Sequence, residues 1–258
     1  MMDISMTIVA YHNYEDIKAA VASIEHNTDA SIKKIIYIID NSALGDEETK
    51  KKEFRGYLSQ WEDVVYLDTG ENLGFGKGHN YVLDRLDSKY HGIINPDILL
   101  TEDSLGKLIA YMNETHVGIA VPKLVDESGE MIKAYRRELT VWDMFIRMCA
   151  PGLFKKRKAY HTMDDMDYSK AFDVPFAQGS FLVIQTNLYK QLGGFDDRFF
   201  MYMEDADLCK RVNEVSVVRY FPDTAVIHKW EKGSHKSMKL FKIHLQSMYR
   251  YFKKWGFK

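Results

Sequence analysis

Over the first ~115 residues, short apolar runs alternate four times with segments of helical spacing. Ser5–Tyr11 (SMTIVAY) leads into Asp16–Asn27, where Ile17, Val21 and Ile24 recur a turn apart. Lys34–Asp40 (KIIYIID) is nearly all apolar, as a strand covered on both faces requires. A lysine-rich helix is expected at about Glu47–Gln60, a third strand at Val64–Asp68, then a Gly-rich turn and a helix near Asn80–Leu86. The fourth strand, His91–Asn95, runs into Pro96 and Asp97. This alternation predicts an open, mostly parallel, twisted α/β sheet flanked by helices. Ligands of such sheets bind beyond the carboxyl ends of the strands. The polar residues there are Tyr11, His12, Asn13, Asp40, Asn41, Asp68, Asn95 and Asp97, so they converge on one edge.

After a strand at Gly118–Leu124 the pattern changes. Residues 126–129 (DESG) read as a hairpin turn and Met131–Tyr135 as its return strand. Residues 140–172 combine an amphipathic piece (Val141–Met148), a Pro151-Gly152 break, a basic run at 155–158 and an acidic run at 164–167. No element is assigned there; a lid or binding loop and plain disorder both remain open. Phe176–Arg211 follows, then two short strands (Val217–Phe221 and Ala225–His228) and a final helix.

With 258 residues the chain can bury a full core. Charge is uneven. Residues 229–258 hold nine Lys/Arg against one acid, Glu231; their +8 and the −10 of the preceding residues give the overall −2. A basic tail on an acidic body favours anionic surfaces, and no nucleic-acid partner is expected. In the tail, Met238, Phe241, Leu245, Met248, Phe252 and Trp255 form one stripe, with Lys239, Lys242, Arg250 and Lys253 off it. Two readings stand: packing on the body or on a second subunit as a homodimer, and lying on anionic lipid. Cys149 and Cys209 are read as buried hydrophobes in a reducing cytoplasm. The N-terminus reads as a strand rather than a signal peptide, and no apolar run approaches the ~20 residues that span a bilayer.

Several motifs point to chemistry, each beside a plainer reading. Glu204, Asp205 and Asp207 follow the aromatics Phe199, Phe200 and Tyr202. Acids at a helix start can simply complement its dipole, whereas carboxylates among aromatics have shifted pKa values. Gly74, Gly76 and Gly78 suggest a phosphate loop, but the G-x-G-x-x-G spacing from Gly76 ends on Tyr81. Asn95-Pro96-Asp97 is good turn chemistry, yet a strand-end carboxylate can also hold Mg²⁺ or Mn²⁺ when phosphates complete the shell. His228 ends a strand and is either structural or a ligand.

Taken in order, TIVAYHNYEDI at the start, IIDNS at 38–42, ENLGFGKGHN at 71–80, NPDILL at 95–100, FAQGSFLV at 176–183, GGFDDRFFMYMEDADLCKR at 193–211 and VIHKW at 226–230 make a pattern. The chain resembles the family-2 inverting glycosyltransferases of GT-A fold, most of all their bacterial rhamnosyltransferase-like branch. The resemblance covers nearly the whole chain. It implies a catalytic domain over 1–235, with a donor half to about 115 and an acceptor half beyond, and an appended helix at 236–258.

For the site, the resemblance implies that Ala10, Tyr11 and His12 line the nucleobase and that Asp40 bonds its ring N–H. Asn72, Gly76 and Asn80 would border the sugar and phosphate pocket. Asp97 is similar to the last acid of the family's Asp-x-Asp motif, which holds Mg²⁺ or Mn²⁺ on the diphosphate, and Asn95 replaces the first acid. That replacement leaves strict metal dependence open. His228 matches the C-terminal metal ligand, Asp205 the catalytic base with Glu204 beside it, and Gly179 and Ser180 the donor–acceptor junction. The donor implied is dTDP-L-rhamnose. The acceptor is a saccharide, lipid-linked or part of a growing O-antigen or capsule, met in the cytoplasm or at the inner face of the membrane. UDP-galactose, UDP-galactofuranose and UDP-GlcNAc remain alternative donors. A non-catalytic saccharide- or nucleotide-binding module is the rival of another class.

Overall fold

The computed structural model describes residues 1–43, 48–149, 152–229 and 238–257. The expected helix start at Glu47, the break at Pro151, and Trp230, Glu231, His235 and Lys258 lie outside them, as does the side chain of Cys149.

The first half runs β1 (Met2–Ala10), α1 (Tyr14–Asn27), β2 (Lys34–Asp40), α2 (Glu48–Leu58), β3 (Val64–Asp68), α3 (Phe75–Asn80), β4 (Ser88–Ile94), β5 (Ile98–Leu100) and α4 (Ser104–Thr115). The second half continues with β6 (Ile119–Val125), β7 (Tyr135–Arg136), α5 (Val141–Cys149), α6 (Lys155–His161), β8 (Phe172–Asp173), β9 (Phe176–Ala177), β10 (Phe181–Gln185), α7 (Thr186–Gln191), α8 (Glu204–Asn213), β11 (Val218–His228) and α9 (Met238–Trp255). Among the described residues, nine strands form one sheet in the order β3-β2-β1-β4-β10-β6-β11-β5, with β8 on β11; β7 and β9 pair separately. β3, β2, β1 and β4 are parallel, as the alternation predicts.

β1 shows why the sheet is covered on both faces. Ile4, Met6 and Ile8 are buried on one side, each burial contributing ~1.5–3 kcal/mol. Ser5 and Thr7, equally buried on the other side, join a polar chain through His79, His91, Ser88 and Thr186. Burial pushes both histidines far down, His91 to about 3, so the chain is neutral.

Four expectations need correction. The Gly-rich turn is itself helix α3, and only a 3-10 turn at Leu83–Arg85 occupies the expected helix. Gly74 makes this possible: its φ is +80°, and a Cβ there would lie 2.1 Å from the Phe200 carbonyl oxygen. The hairpin turn at 126–129 forms, but its return strand shrinks to one bridge, Val125 to Met131. The basic run at 155–158 opens helix α6. The two late strands are one, β11, with a bulge between Tyr220 and Ala225.

α9 packs on the body through its second half, where Ser247, Tyr251 and Phe252 are buried. Tyr251 and Phe252 share a small apolar cluster with Leu139, Met144, Phe199, Met203 and Ala206. Asp207, expected only as a first-turn acid, is fully buried and anchors this helix. Trp255 Nε1 donates to its Oδ1 at 2.8 Å, and Lys254 Nζ lies 2.6 Å from the same oxygen.

Candidate active site

Two antiparallel pairings assemble the site. β10 returns along β4 with Phe181 opposite Ile94, so the residues before β10 meet those after β4. The Asn95 N–H accordingly donates to the Ser180 carbonyl at 2.8 Å. β11 runs against β5 with His228 opposite Ile98, which sets its last residue beside Asp97. His228 Nε2 lies 3.1 Å from Asp97 Oδ2, and the Lys229 N–H donates to the Asp97 carbonyl at 3.0 Å.

The acid pair enters from α8. Tyr202 and Met203 hold φ values of 70° and 71°, left-handed backbone that costs non-glycine residues free energy. This double turn delivers Glu204 and Asp205 at the helix start. Asp205 accepts the Gly179 N–H at 3.1 Å on Oδ2 and the Ala206 N–H at 2.8 Å on Oδ1. Glu204 is only 4 % exposed, and its Oε2 has no partner among the described residues. Burial, and then the Asp205 charge, push the Glu204 carboxyl up to about 8. Burial also raises Asp205, while the Gly179 and Ala206 N–H groups pull it back. At neutral pH Glu204 therefore keeps its proton.

A cavity of about 530 Å³ brings together Asn95, Asp97, Gly179, Ser180, Glu204, Asp205 and His228. It also holds residues that sequence reasoning missed: Phe75, Arg147 on α5, and Phe241 and His244 on α9. Arg147 is exposed there, and its side chain makes no hydrogen bond or ion pair among the described residues. Burial and the nearby Arg147 charge bring His244 down to about 4, so it is neutral. Phe75 lies inside the quoted 71–80 motif; for Arg147, Phe241 and His244 the only signal was the amphipathic spacing of their helices, which says nothing about the cavity.

The remaining expected site residues are not in this cavity. Ala10 is buried at the end of β1, while Tyr11 and His12 are exposed beyond it. His12 has φ 61° and donates its N–H to Ser42 Oγ. Asp40 is fully buried and accepts three hydrogen bonds, from the Ser42 N–H at 2.9 Å and from the hydroxyls of Tyr14 at 3.1 Å and Tyr66 at 2.5 Å. In this arrangement it pins the end of β2 and offers no open oxygen to a base. Asn72 accepts the Gly74 N–H, a local turn. Gly76 packs on Phe195, whose Cβ would lie 2.9 Å from an added Cβ. Asn80 is a clamp: it accepts from the Tyr189 hydroxyl and the Phe195 N–H, each at 2.9 Å, and donates to the Phe195 carbonyl at 2.8 Å and to Asp197 Oδ1 at 3.0 Å. Both Gly76 and Asn80 are thus engaged by the distant 189–197 segment, and neither lines this cavity.

Asp97 and His228 supply one carboxylate and one imidazole whose Nδ1 is buried and unpartnered among the described residues. No three His, Cys, Asp or Glu side chains among those residues cluster as a metal site. This donor set suits Mg²⁺ or Mn²⁺ only when further oxygens come from a ligand such as a diphosphate.

Known proteins resemble the chain at both levels. Low-salt glycan biosynthesis hexosyltransferase Agl10 of Haloferax volcanii is 26% identical over 83% of this chain and 63% of its own length. Rhamnosyltransferase WbbL of Escherichia coli is 28% identical over 95% of this chain and 90% of its own. The N-acetylglucosaminyl-diphospho-decaprenol L-rhamnosyltransferase of Mycobacterium tuberculosis is 26% identical over 66% of this chain, and the match spans 60% of that protein. The chain thus accounts for only part of the Haloferax and Mycobacterium proteins. In structure, it matches GalNAc-T7 with UDP, GalNAc and Mn2+ at a TM-score of 0.70 and 15% identity, over 98% of this chain and 48% of that one. The mannosyltransferase PcManGT from Pyrobaculum calidifontis with GDP-Man and Mn2+ matches at 0.67 and 15%, over 98% and 64%. These likenesses show the fold, the GT-A arrangement. The model of "Glycosyl transferase family 2" matches residues 5–193, from the first strand through the turn after α7, and the chain belongs to that family.

Proposed function

We propose that this chain transfers L-rhamnose, with inversion, from dTDP-L-rhamnose to a saccharide acceptor carried on a lipid, in the assembly of a surface polysaccharide such as O-antigen or capsule. The observation that carries the reading is Asp205: a buried carboxyl of raised proton affinity, held by two backbone N–H groups, in the same cavity as Asp97 and His228. Inverting transfer needs one base opposite the leaving group. The acceptor hydroxyl gives its proton to Asp205 as its oxygen bonds the anomeric carbon, and the bond from that carbon to the diphosphate oxygen breaks, dTDP leaving with the electron pair. Glu204, protonated beside it, donates a hydrogen bond that orients the base or an acceptor hydroxyl. Asp97 and His228 would hold a Mg²⁺ or Mn²⁺ ion, which when bound supplies positive charge for the departing diphosphate. Asn95 stands beside them as a neutral amide.

Support for rhamnose comes from the names of two relatives, the WbbL and mycobacterial rhamnosyltransferases. The lipid-linked acceptor is supported by the diphospho-decaprenol in the mycobacterial name. In this reading residues 1–115 form the donor half, 116–235 the acceptor half and 236–258 an appended helix, and the enzyme works in the cytoplasm at the inner face of the membrane. No described helix is long and apolar enough to cross a membrane. The test is Asp205→Asn with dTDP-L-rhamnose. Transfer should fall ~10²- to 10⁴-fold with the thermal melt little changed. A folded variant with near-normal turnover rejects the assignment.

A further inference from the structure

The α5–α6 hairpin is clipped together on its inner side and left uncovered on its outer side. Arg157 donates from Nε and Nη2 to the two Asp143 oxygens at 2.6 and 2.7 Å, and Thr140 Oγ1 donates to Asp143 Oδ2 at 2.6 Å. Asp143 is buried, so the clip is built into the fold. On the outer face Trp142, Phe145 and Phe154 are each 48% exposed, and Leu153 is 62% exposed. The Trp142 ring stacks on Phe145 at 5.4 Å and meets the Phe154 ring edge-on at the same distance. Phe154 reaches it from left-handed backbone, φ 56°. Lys155, Lys156 and Lys158 follow at once; all are exposed, and none of their side chains makes a hydrogen bond or ion pair among the described residues.

The same character continues across the cavity mouth. The first turns of α9 expose Met238, Phe241 and Leu245, with Lys239 and Lys242 between them. Phe241 lines the cavity from that side, as Arg147 and Met148 do from α5. Half-exposed aromatics next to unpaired lysines are the surface chemistry of a helix lying at an anionic bilayer, rings among the acyl chains and ammonium groups at the phosphates. A second copy of this chain would bring the same positive charges face to face, which disfavours self-pairing here.

We propose that the outer face of the α5–α6 hairpin docks on an anionic phospholipid bilayer, with Trp142, Phe145 and Phe154 inserted and Lys155, Lys156 and Lys158 on the headgroups. The cavity mouth then opens at headgroup depth, where a lipid-carried acceptor can reach Asp205 without leaving the membrane; this consequence alone rests on the proposed transfer reaction. Flotation of the full chain with phosphatidylcholine vesicles, with and without phosphatidylglycerol, tests the docking. Binding should require phosphatidylglycerol, weaken with salt, and fall on the order of a hundredfold in Lys155→Ala/Lys156→Ala/Lys158→Ala. Trp142→Ala/Phe145→Ala should also lose binding, while both variants keep normal transfer to a water-soluble saccharide acceptor. Loss of that soluble activity in the unaltered chain would strike the transfer reading and leave the docking result standing. Wild-type protein that ignores phosphatidylglycerol, variants that float like wild type, or a dimer dispersed by Trp142→Ala/Phe145→Ala in sedimentation would each overturn the proposal.

Discussion

Gly179 and Asp205 approach so closely that the N–H of one donates to the carboxylate of the other at 3.1 Å, and a Cβ on Gly179 would stand 3.2 Å from the Asp205 Cβ. The same Cβ would lie 3.4 Å from the Phe75 ring. Glycine here sets where the Asp205 carboxyl sits. In Gly179→Ala, Asp205 must shift by a few tenths of an ångström, and kcat should fall roughly tenfold, since small misplacements of reacting groups are costly. Donor KM and the thermal melt should hardly move. A kcat equal to wild type would show that the base tolerates the shift.

Glu204 makes stability depend on pH with an unusual sign. Its folded value is raised to about 8 from an ordinary 4.5, burial being the larger cause. Between those two values the folded chain binds the proton that the unfolded chain has released. The contribution is therefore fully present below about 4.5 and lost as pH rises through about 8. Glu204→Gln removes the proton exchange, so its stability relative to wild type should climb across this window by up to about 1.4 kcal/mol per pH unit. Urea midpoints of both proteins from acid to alkaline pH provide the check; parallel curves would refute it.

Asn80 is a structural clamp on the turn that leads to the acid pair, with its amide engaged by Phe195, Tyr189 and Asp197. Asn80→Ala strands the Phe195 N–H and carbonyl and should cost about 2–3 kcal/mol in denaturant melts. If the residue instead touched the donor, the variant would show raised donor KM with unchanged stability.

His228 and Asp97 should matter through the donor rather than through the fold. A dTDP-L-rhamnose thermal shift measured with and without Mn²⁺ should shrink on chelation and in His228→Ala. Each tenfold loss of affinity removes about 1.4 kcal/mol, or roughly 3–5 °C of the ligand-induced rise. A shift of equal size with EDTA and in His228→Ala would show that neither the ion nor this side chain takes part.

Much of this was legible from local pattern. β2 and β3 fall on the residues that their apolar runs mark, and β2 is nearly all apolar because a strand covered on both faces needs such a run. Glu204 and Asp205 stood out because acids follow a row of aromatics, and the structure places them in one cavity with Asp97 and His228. Residues 141–148, which carried amphipathic spacing but no assigned element, lie in helix α5. Where local signals competed, they misled. The glycines at 74–78 read as a turn, yet they form a helix because Phe200 and Phe195 pack where side chains would otherwise stand.

By itself, then, the sequence determined the alternation, the parallel half-sheet and the residue types that carry chemistry, all properties of neighbours within a turn or a strand. Only tertiary structure decided which of them meet. β10 returns antiparallel beside β4, and β11 antiparallel beside β5, and these pairings lay Ser180 against Asn95 and His228 against Asp97. Asn80 became a clamp because its partner Phe195 is 115 residues away, and Asp207 an anchor because Trp255 is 48 away. A polar side chain takes its role from whatever satisfies its hydrogen bonds once water is gone, and over such separations that is fixed by the path of the chain.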